Sequence, residues 1–188
     1  MQLSFVQEPA VAAAAAIVYD ETMDVDAIFA ETVTELRRDG VMVAGLLQKF
    51  AGDARNARRS MWLENLASGA LIRLDRPRGS GASGCVLDPD ALARAACVLQ
   101  QAITLDPDLI LVNRFGHAEV EGSGLRAEIA EAICAGVPLL IAVRYNLLPA
   151  WEGFLGGPAQ ILLPSPPAVL CWVHDRIGSA REARLYAC

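Results

Sequence analysis

The chain has 188 residues, a formal net charge of −6 and a hydrophobic fraction of 54%. That fraction exceeds the roughly 45–50% of ordinary globular domains, so it favours a compact domain with covered sheet faces over disorder. Lys49 is the sole lysine and the charge balance is acidic, which argues against a nucleic-acid partner.

Targeting signals and membrane spans are not expected. No apolar stretch reaches the roughly 20 residues that a transmembrane helix needs. Met1 to Val11 has no positive charge, whereas a secretory signal would carry one. The five cysteines form no close pair, which suits free buried thiols in a reducing compartment. These features predict a cytoplasmic protein whose residues 1–188 form a single α/β domain.

The N-terminal part has the pattern of a β-α-β unit. Ala12 to Tyr19 predicts a strand, and Asp24 predicts the N-cap of a helix with an apolar stripe at helical spacing. Val41 to Leu47 predicts a second apolar strand. Such a unit implies a right-handed crossover between parallel strands.

The middle of the chain interrupts that pattern. Met61 to Asp75 alternates around a Ser-Gly turn, which predicts an antiparallel hairpin inserted into a mainly parallel sheet. Arg76 to Gly84 is rich in glycine and predicts a flexible loop. Asp88 and Pro89 have the spacing of an N-cap and a first helical residue, so they predict the start of another helix.

The most informative stretch runs from Leu105 to Pro138. Leu109 to Val112 predicts a strand buried on both faces that stops at Asn113. The following residues predict a polar, glycine-rich loop, and Leu125 to Gly136 predicts a helix. A buried strand followed by a polar loop and a helix is where open α/β sheets bind ligands.

The C-terminal part predicts two more strands and a helix. Leu139 to Val143 has the pattern of a buried strand. Ile161 to Leu163 predicts an edge strand, because Pro164 follows it directly. A final helix is expected from Pro166 or the next proline, with a loose tail after Gly178.

The order of elements invites comparison with phosphate-binding NTPases, but their chemistry is missing. Those enzymes need glycines, a lysine and a hydroxyl in the first turn, and an aspartate for magnesium after a later strand. Here Asn113 and Arg114 replace that aspartate, and Lys49 lies after the second strand. The first turn has four carboxylates that would repel a polyanion: Asp20, Glu21, Asp24 and Asp26. Conventional ATP binding is therefore disfavoured.

A family resemblance is carried by five segments: YDETMDVDA, GVMVAGLLQ, LASG, CVLDPDALA and LILVNRFGHAEVEGSGLRAEIAEAICAGVPLLIAV. They resemble a bacterial family of unknown function that is often encoded beside molybdate-transport genes and is distantly similar to small P-loop nucleoside triphosphatases. The likeness covers roughly Ile17 to Gly157. It implies a P-loop-NTPase-like three-layer sandwich with eroded catalytic motifs, and it suggests molybdate or the molybdenum cofactor.

The candidate ligand site lies at the carboxyl edge of the predicted sheet. Arginines, a histidine and free N–H groups near Gly122 to Leu125 could hold an oxyanion or a phosphate. Alternatively, Arg114 and Arg126 pair with nearby glutamates and only order the loop. The acidic turn could hold a cation, or it could only cap the helix and complement its dipole. The candidate ligand-binding residues are Asn113, Arg114, His117, Glu119, Gly122, Gly124, Arg126, Asp20, Asp24, Gln48 and Arg144.

Three functions remain compatible with these residues. The leading hypothesis is non-catalytic binding of a small oxyanion, a phosphate-bearing ligand or a nucleotide, with molybdate as the specific candidate. The second is a divergent nucleoside triphosphatase in which Arg114 replaces the lost lysine. The third is a protein-interaction module that uses the hairpin and the Arg76–Gly84 loop. A second copy of the chain and a molybdate-transport protein are the macromolecular partners considered, and no catalytic residue or metal ligand is assigned.

Overall fold

The computed structural model describes residues 13–51, 60–76 and 86–186. Its helices are α1 (Val25–Arg38), α2 (Pro89–Thr104), α3 (His117–Val120), α4 (Arg126–Cys134), α5 (Leu148–Leu155) and α6 (Pro166–Tyr186), with a 3-10 turn at Tyr145–Leu147. Its strands are β1 (Ala14–Tyr19), β2 (Val43–Ala51), β3 (Ser60–Asn65), β4 (Leu71–Arg73), β5 (Asp75–Arg76), β6 (Val86–Leu87), β7 (Leu109–Phe115), β8 (Leu139–Arg144) and β9 (Gln160–Leu162).

A seven-stranded sheet forms the middle layer, with the strand order β4-β3-β2-β7-β8-β1-β9. The five strands from β2 to β9 in that order are parallel, β3 pairs antiparallel with β2, and β4 pairs antiparallel with β3. The expected α/β architecture with an inserted hairpin is therefore confirmed. The expected loop after Arg76 lies outside the described residues.

Helices cover both faces of the sheet and make it a three-layer sandwich. On one face α1 and α6 pack over residues such as Ile17 and Leu111. On the other face α2, α4 and α5 pack over residues such as Val112 and Ile141. Alternate residues of each parallel strand thus enter opposite cores, which explains why these strands are apolar without interruption.

Aspartate side chains cap the starts of two helices, as the sequence predicted. Asp24 accepts a hydrogen bond from the N–H of Ala27 at 3.0 Å, and α1 begins at the next residue. Asp88 accepts one from the N–H of Asp90 at 3.0 Å, with Pro89 at the first position of α2. Each cap satisfies one of the N–H groups that a helix start leaves without an intrahelical partner.

The contact between β2 and β7 depends on Gly45. This residue has φ +107°, and a Cβ atom built on it would lie 2.1 Å from the main-chain oxygen of Leu111. Glycine alone accommodates both the backbone conformation and the close approach. The pairing matters for function because β2 carries Gln48 and β7 carries Asn113 to the same edge of the sheet.

The structure corrects four details of the sequence interpretation. Strand β7 does not stop at Asn113 but runs to Phe115, because Phe115 still pairs with Val143 of β8. The polar segment after it contains the short helix α3. Helix α6 continues past Gly178 to Tyr186. The described cysteines are free, as expected, but they are exposed rather than buried: Cys97, Cys134 and Cys171.

Candidate functional site

The turn between β1 and α1 is occupied by the chain's own carboxylates. Asp20 Oδ1 accepts hydrogen bonds from the N–H of Thr22 at 2.9 Å and from its hydroxyl at 2.6 Å. These bonds stabilise the charged form, so they lower the pKa of Asp20 below its usual 3.8. Asp24 caps the helix. Two N–H donors that a phosphate could use at this helix start are therefore already engaged.

The next carboxylate, Asp26, joins α1 to the end of β7. Asn113 Nδ2 donates to Asp26 Oδ1 at 2.6 Å, and Arg114 Nη2 donates to Asp26 Oδ2 at 2.8 Å. Neighbouring strand residues normally point to opposite faces, but β7 has a register shift between Val112 and Phe115. A bulge of this kind lets two consecutive side chains turn towards one carboxylate.

This triad reverses the charges that a nucleotide-hydrolysing site places at the same two elements. In P-loop NTPases the helix start carries a lysine and a hydroxyl, and the later strand carries an aspartate for magnesium. Here the helix start carries Asp26, and the strand end carries Arg114. The guanidinium also lies over the ring of Tyr19, with 5.5 Å between its central carbon and the ring centroid.

The segment after β7, from Gly116 to Leu125, is organised around Glu119. Its carboxylate accepts hydrogen bonds from the N–H groups of Gly116 at 2.8 Å and Leu125 at 2.9 Å. The residue is only 7% exposed. Gly124 has φ +66°, and a Cβ atom there would lie 2.1 Å from Glu119 Oε1. The buried carboxylate thus takes the place that an external anion would occupy in such a loop.

The expectation of free N–H groups in this loop is wrong at three positions. The N–H of Leu125 donates to the Glu119 carboxylate, that of Gly122 donates to the Glu119 main-chain oxygen at 3.2 Å, and that of Ser123 donates to Ala118 at 2.8 Å. Arg126 Nη1 also donates to the Glu119 main-chain oxygen, at 3.0 Å. At these three positions the N–H groups are satisfied within the loop, which Glu119 joins to both of its ends.

The arginine contacts differ from the pairing with loop glutamates that the sequence offered as the alternative to anion binding. Arg114 pairs with Asp26 rather than with a loop glutamate. Arg126 lies over the ring of Phe154, with 4.5 Å between the guanidinium carbon and the ring centroid. Arg144 Nη1 approaches Glu21 Oε1 at 3.7 Å, but both side chains are exposed, so this pair contributes little stability.

A cavity of about 300 Å³ lies on the face of the sheet covered by α2 and α4. Its walls are mainly apolar and include Leu63, Leu92 and Leu125. Gly124 also lines it, and its polar lining includes five of the candidate residues: Gln48, Asn113, Arg114, His117 and Glu119. Among the described residues, the structure therefore brings these candidates together around an apolar space.

Two of the residues that line this cavity each have a buried side-chain atom without a hydrogen-bond partner among the described residues. They are Asn113 Oδ1, an acceptor, and Arg114 Nε, a donor. Asn113 as a whole is only 3% exposed. Buried polar atoms of this kind are uncommon in native proteins, and the indole nitrogens of Trp62 and Trp151 share the property.

A second, more open cavity of about 620 Å³ borders the acidic turn. Asp24, Asp26 and Lys49 line it, and Gln48 lines both cavities. The ammonium of Lys49 is paired with Glu64 across β2 and β3. In the described ranges no group of three or more His, Cys, Asp or Glu side chains has a geometry that could hold a metal ion.

Asp26 is the contact residue that the candidate set omits. Its helical position, two residues after the cap, is visible in the sequence, but its partners are not. Asn113 and Arg114 follow it by 87 and 88 positions. Only the pairing of β7 within the sheet brings them to the start of α1.

None of the described helices is long and apolar enough to cross a lipid bilayer.

Comparison with a solved structure agrees with the strand order. The solution structure of a human cancer-related nucleoside triphosphatase aligns with a TM-score of 0.60, covering 89% of this chain and 97% of that one. The two sequences are 13% identical, so the likeness concerns the fold. The chain has the α/β scaffold of P-loop NTPases, as the resemblance implied.

Sequence comparison gives a nearer relative. The molybdenum import ATP-binding protein ModC 2 of Bradyrhizobium diazoefficiens is 36% identical over 170 residues, which is 90% of this chain. The chain spans only 19% of that protein's length. A protein family of unknown function, DUF2478, matches residues 14–172, which include the whole parallel sheet and both loops described above. The chain therefore belongs to the DUF2478 family.

Proposed function

We propose that this chain is a non-hydrolysing binding protein for a small oxyanion or phosphate-bearing ligand, built on a P-loop-NTPase-like scaffold. The ligand lies at the carboxyl edge of the sheet, at the polar end of the 300 Å³ cavity. The observation that carries the proposal is the position of Arg114, whose partly exposed side chain belongs to a residue that lines that cavity.

Arg114 has donors to spare for an anion. Asp26 accepts a bond from Nη2, whereas a guanidinium carries five N–H donors in a planar fork. The side chain is 32% exposed, so a ligand can approach it from solvent. His117 also lines the cavity and offers a second nitrogen. Glu119, the one carboxylate in the lining, is engaged by backbone N–H groups and faces its own loop.

The proposal excludes nucleotide hydrolysis because of the side chains at the two strand-to-helix turns. A triphosphate at the start of α1 would meet Asp20, Asp24 and Asp26 at close range. Repulsion between two unit charges about 4 Å apart amounts to roughly 4 kcal/mol near a protein surface. Asn113 also offers an amide where magnesium needs a carboxylate. Each feature disfavours a bound magnesium nucleotide independently.

The relative that imports molybdenum supports a role beside molybdenum uptake. Its similarity to nearly the whole of this chain makes molybdate the first oxyanion to test and a molybdate-transport protein the first partner. The proposal also places the protein in the cytoplasm, the location predicted from its sequence.

Isothermal titration calorimetry with molybdate, tungstate, sulfate, phosphate and ATP with magnesium tests the proposal. We expect at least one anion to bind at sub-millimolar concentration. Binding should weaken about tenfold or more in Arg114→Gln, because a charge-assisted hydrogen bond is lost. Arg38→Gln is the matched control, because Arg38 is exposed on α1 and pairs with Glu35 of the same helix.

Two results would contradict the proposal. One is a lack of binding by every anion. The other is magnesium-dependent phosphate release that Arg114→Ala abolishes, which would favour the nucleoside triphosphatase instead. A coupled phosphate assay on the wild type and Arg114→Ala measures this directly.

A further inference from the structure

The side-chain amide of Gln48 is buried, but it is not hydrogen bonded to any described residue. Only 7% of the residue is exposed, and no described group donates to its amide or accepts from it. It differs from Asn113 Oδ1 and Arg114 Nε, which are sealed from solvent, because its own polar atoms keep accessible surface. Such an amide is free to bond to a molecule in the space that it faces.

Strand geometry shows which space the amide faces. Side chains alternate between the two faces of a strand, and Leu46, two residues earlier, belongs to the core under α2 and α4. Leu63, directly opposite Gln48 on β3, belongs to the same core, whereas Leu47 belongs to the core on the α1 side. Gln48 therefore faces the cavity of about 300 Å³, which it lines together with Leu46 and Leu63. The strand itself separates this space from the open cavity on the α1 side, which Gln48 also borders.

The rest of the described lining offers no free charge to the interior of the cavity. Glu119 belongs to it, but both of its carboxylate oxygens accept backbone N–H groups. Arg114 directs its guanidinium to Asp26 on the α1 side of the sheet, and His117 is exposed. A charged ligand would lose its hydration in the interior without gaining a counter-ion. Aliphatic side chains make up most of the remaining lining: Leu46, Met61, Leu63, Leu74, Leu92, Val112 and Leu125.

We propose that the interior of this cavity binds an uncharged primary carboxamide with a compact apolar substituent. A primary amide has an N–H on the same side as its C=O, so it can form two reciprocal hydrogen bonds with the amide of Gln48. The substituent fills the aliphatic space, whose volume is at the lower end of the roughly 300–1,000 Å³ of small-molecule pockets. This inference goes beyond the proposed function, because the anion proposed there meets Arg114 rather than Gln48.

Matched amides test the inference without any change to the protein. The parent probes are benzamide and cyclohexanecarboxamide, each compared with its N-methyl amide and its carboxylate. The N-methyl amide is trans, so its methyl group takes the place of the N–H beside the C=O. We expect at least one parent to bind with a dissociation constant of about 1 mM or lower, as suits a small ligand. Its two analogues should bind about tenfold more weakly or not at all.

NMR titration of the protein measures these affinities and also locates the ligand. The side-chain NH2 signals of Gln48 should shift when the parent amide binds. Equal affinity for a parent and its N-methyl analogue, or no binding of either parent, would overturn the inference and leave ordered water as the partner of Gln48.

Protein variants supply the second measurement. Gln48→Met keeps the length of the side chain but removes the amide, and it should weaken binding of the parent amide about tenfold. Gln100→Met, at an exposed position on α2, is the matched control and should leave the affinity unchanged. Thermal melting verifies that both variants fold, and full affinity in folded Gln48→Met would overturn the inference.

A further pair of variants tests the space rather than the amide. Leu92→Phe adds bulk to the cavity wall and should abolish binding of the parent amide. Val98→Phe is its control, because Val98 lies on the same helix but lines a different cavity, of about 410 Å³. Binding that survives in folded Leu92→Phe would also overturn the inference.

Titration of phosphate and molybdate into the same samples separates this inference from the proposed function. If an anion binds and neither parent amide does, the carboxamide site is excluded and anion binding stands. If a parent amide binds and no anion does, the carboxamide site stands and the anion-binding proposal falls. If nothing binds, both fall.

Discussion

Two strand-to-helix turns at the same edge of the sheet satisfy their N–H groups with carboxylates of the chain itself, but in different surroundings. In the turn after β1, Asp20 and Asp24 are exposed to solvent. In the loop after β7, Glu119 is buried and holds two N–H groups. The first arrangement keeps anions away at little cost in folding stability. In the second arrangement the carboxylate is part of the core, so its removal should lower the folding stability.

The largest effect is expected from Glu119→Ala. The change leaves the buried N–H of Leu125 and the part-buried N–H of Gly116 without this partner, at a cost of up to roughly 1–3 kcal/mol for each. We therefore expect the free energy of unfolding to fall by about 2–6 kcal/mol in a urea titration. Glu121→Ala, at an exposed position two residues later, should change it by less than about 0.5 kcal/mol. Similar losses in both variants would show that Glu119 is not the organising residue.

Gly124→Ala should come next, with Gly122→Ala as its control. Both glycines have positive φ, +66° at Gly124 and +86° at Gly122. An alanine at either position therefore lowers the folding stability by roughly 1–3 kcal/mol through backbone strain. At position 124 the added Cβ would also lie 2.1 Å from Glu119 Oε1, whereas nothing lies within 4 Å of a Cβ at position 122. Thermal unfolding should show the larger loss for Gly124→Ala. An equal loss would mean that Glu119 moves aside freely.

A smaller loss is expected from Asp26→Ala, the change that opens the link between α1 and β7. It removes the partner of Asn113 Nδ2 and the counter-ion of Arg114, which should cost about 1–3 kcal/mol. Glu31→Ala on the exposed side of the same helix is the matched control. A double-mutant cycle between Asp26→Ala and Asn113→Ala measures the coupling directly, and additive losses would argue against the hydrogen bond.

The smallest effect concerns the exposed turn and is best observed as a titration. The hydrogen bonds from Thr22 hold the pKa of Asp20 below 3.8. Since the pKa is lowered in the folded state, the stabilising contribution is present above pH 3.8 and is lost as the pH falls through the lowered value. In Thr22→Val, which retains the backbone N–H, NMR titration should find the Asp20 pKa closer to 3.8. An unchanged pKa would assign the shift to the backbone bond alone.

Local patterns were enough to predict most of the fold. Apolar runs predicted the buried strands, and Asp24 and Asp88 predicted helix starts, because capping depends on neighbours within three residues. The extent of β7 could not be predicted in this way. Phe115 belongs to the strand through its pairing with Val143, and that pairing is a property of the sheet rather than of the segment.

The site was predicted less completely than the fold. The sequence identified the polar strand end at Asn113 and Arg114, and both line the cavity. It did not indicate that Glu119 turns inward, since this depends on the backbone path through Gly124. It also did not single out Asp26, because charge and helical position alone do not show which of four carboxylates meets a distant arginine.

The pairing of an aspartate on α1 with an arginine on β7 limits which single substitutions this edge of the sheet tolerates. A lysine at position 26 would lie against Arg114, and an aspartate at position 113 would lie against Asp26. Each of these two substitutions alone would place like charges side by side, which is unfavourable in a partly buried position. A site with a lysine at the start of α1 and an aspartate at the end of β7 would therefore require at least two coordinated substitutions in this chain.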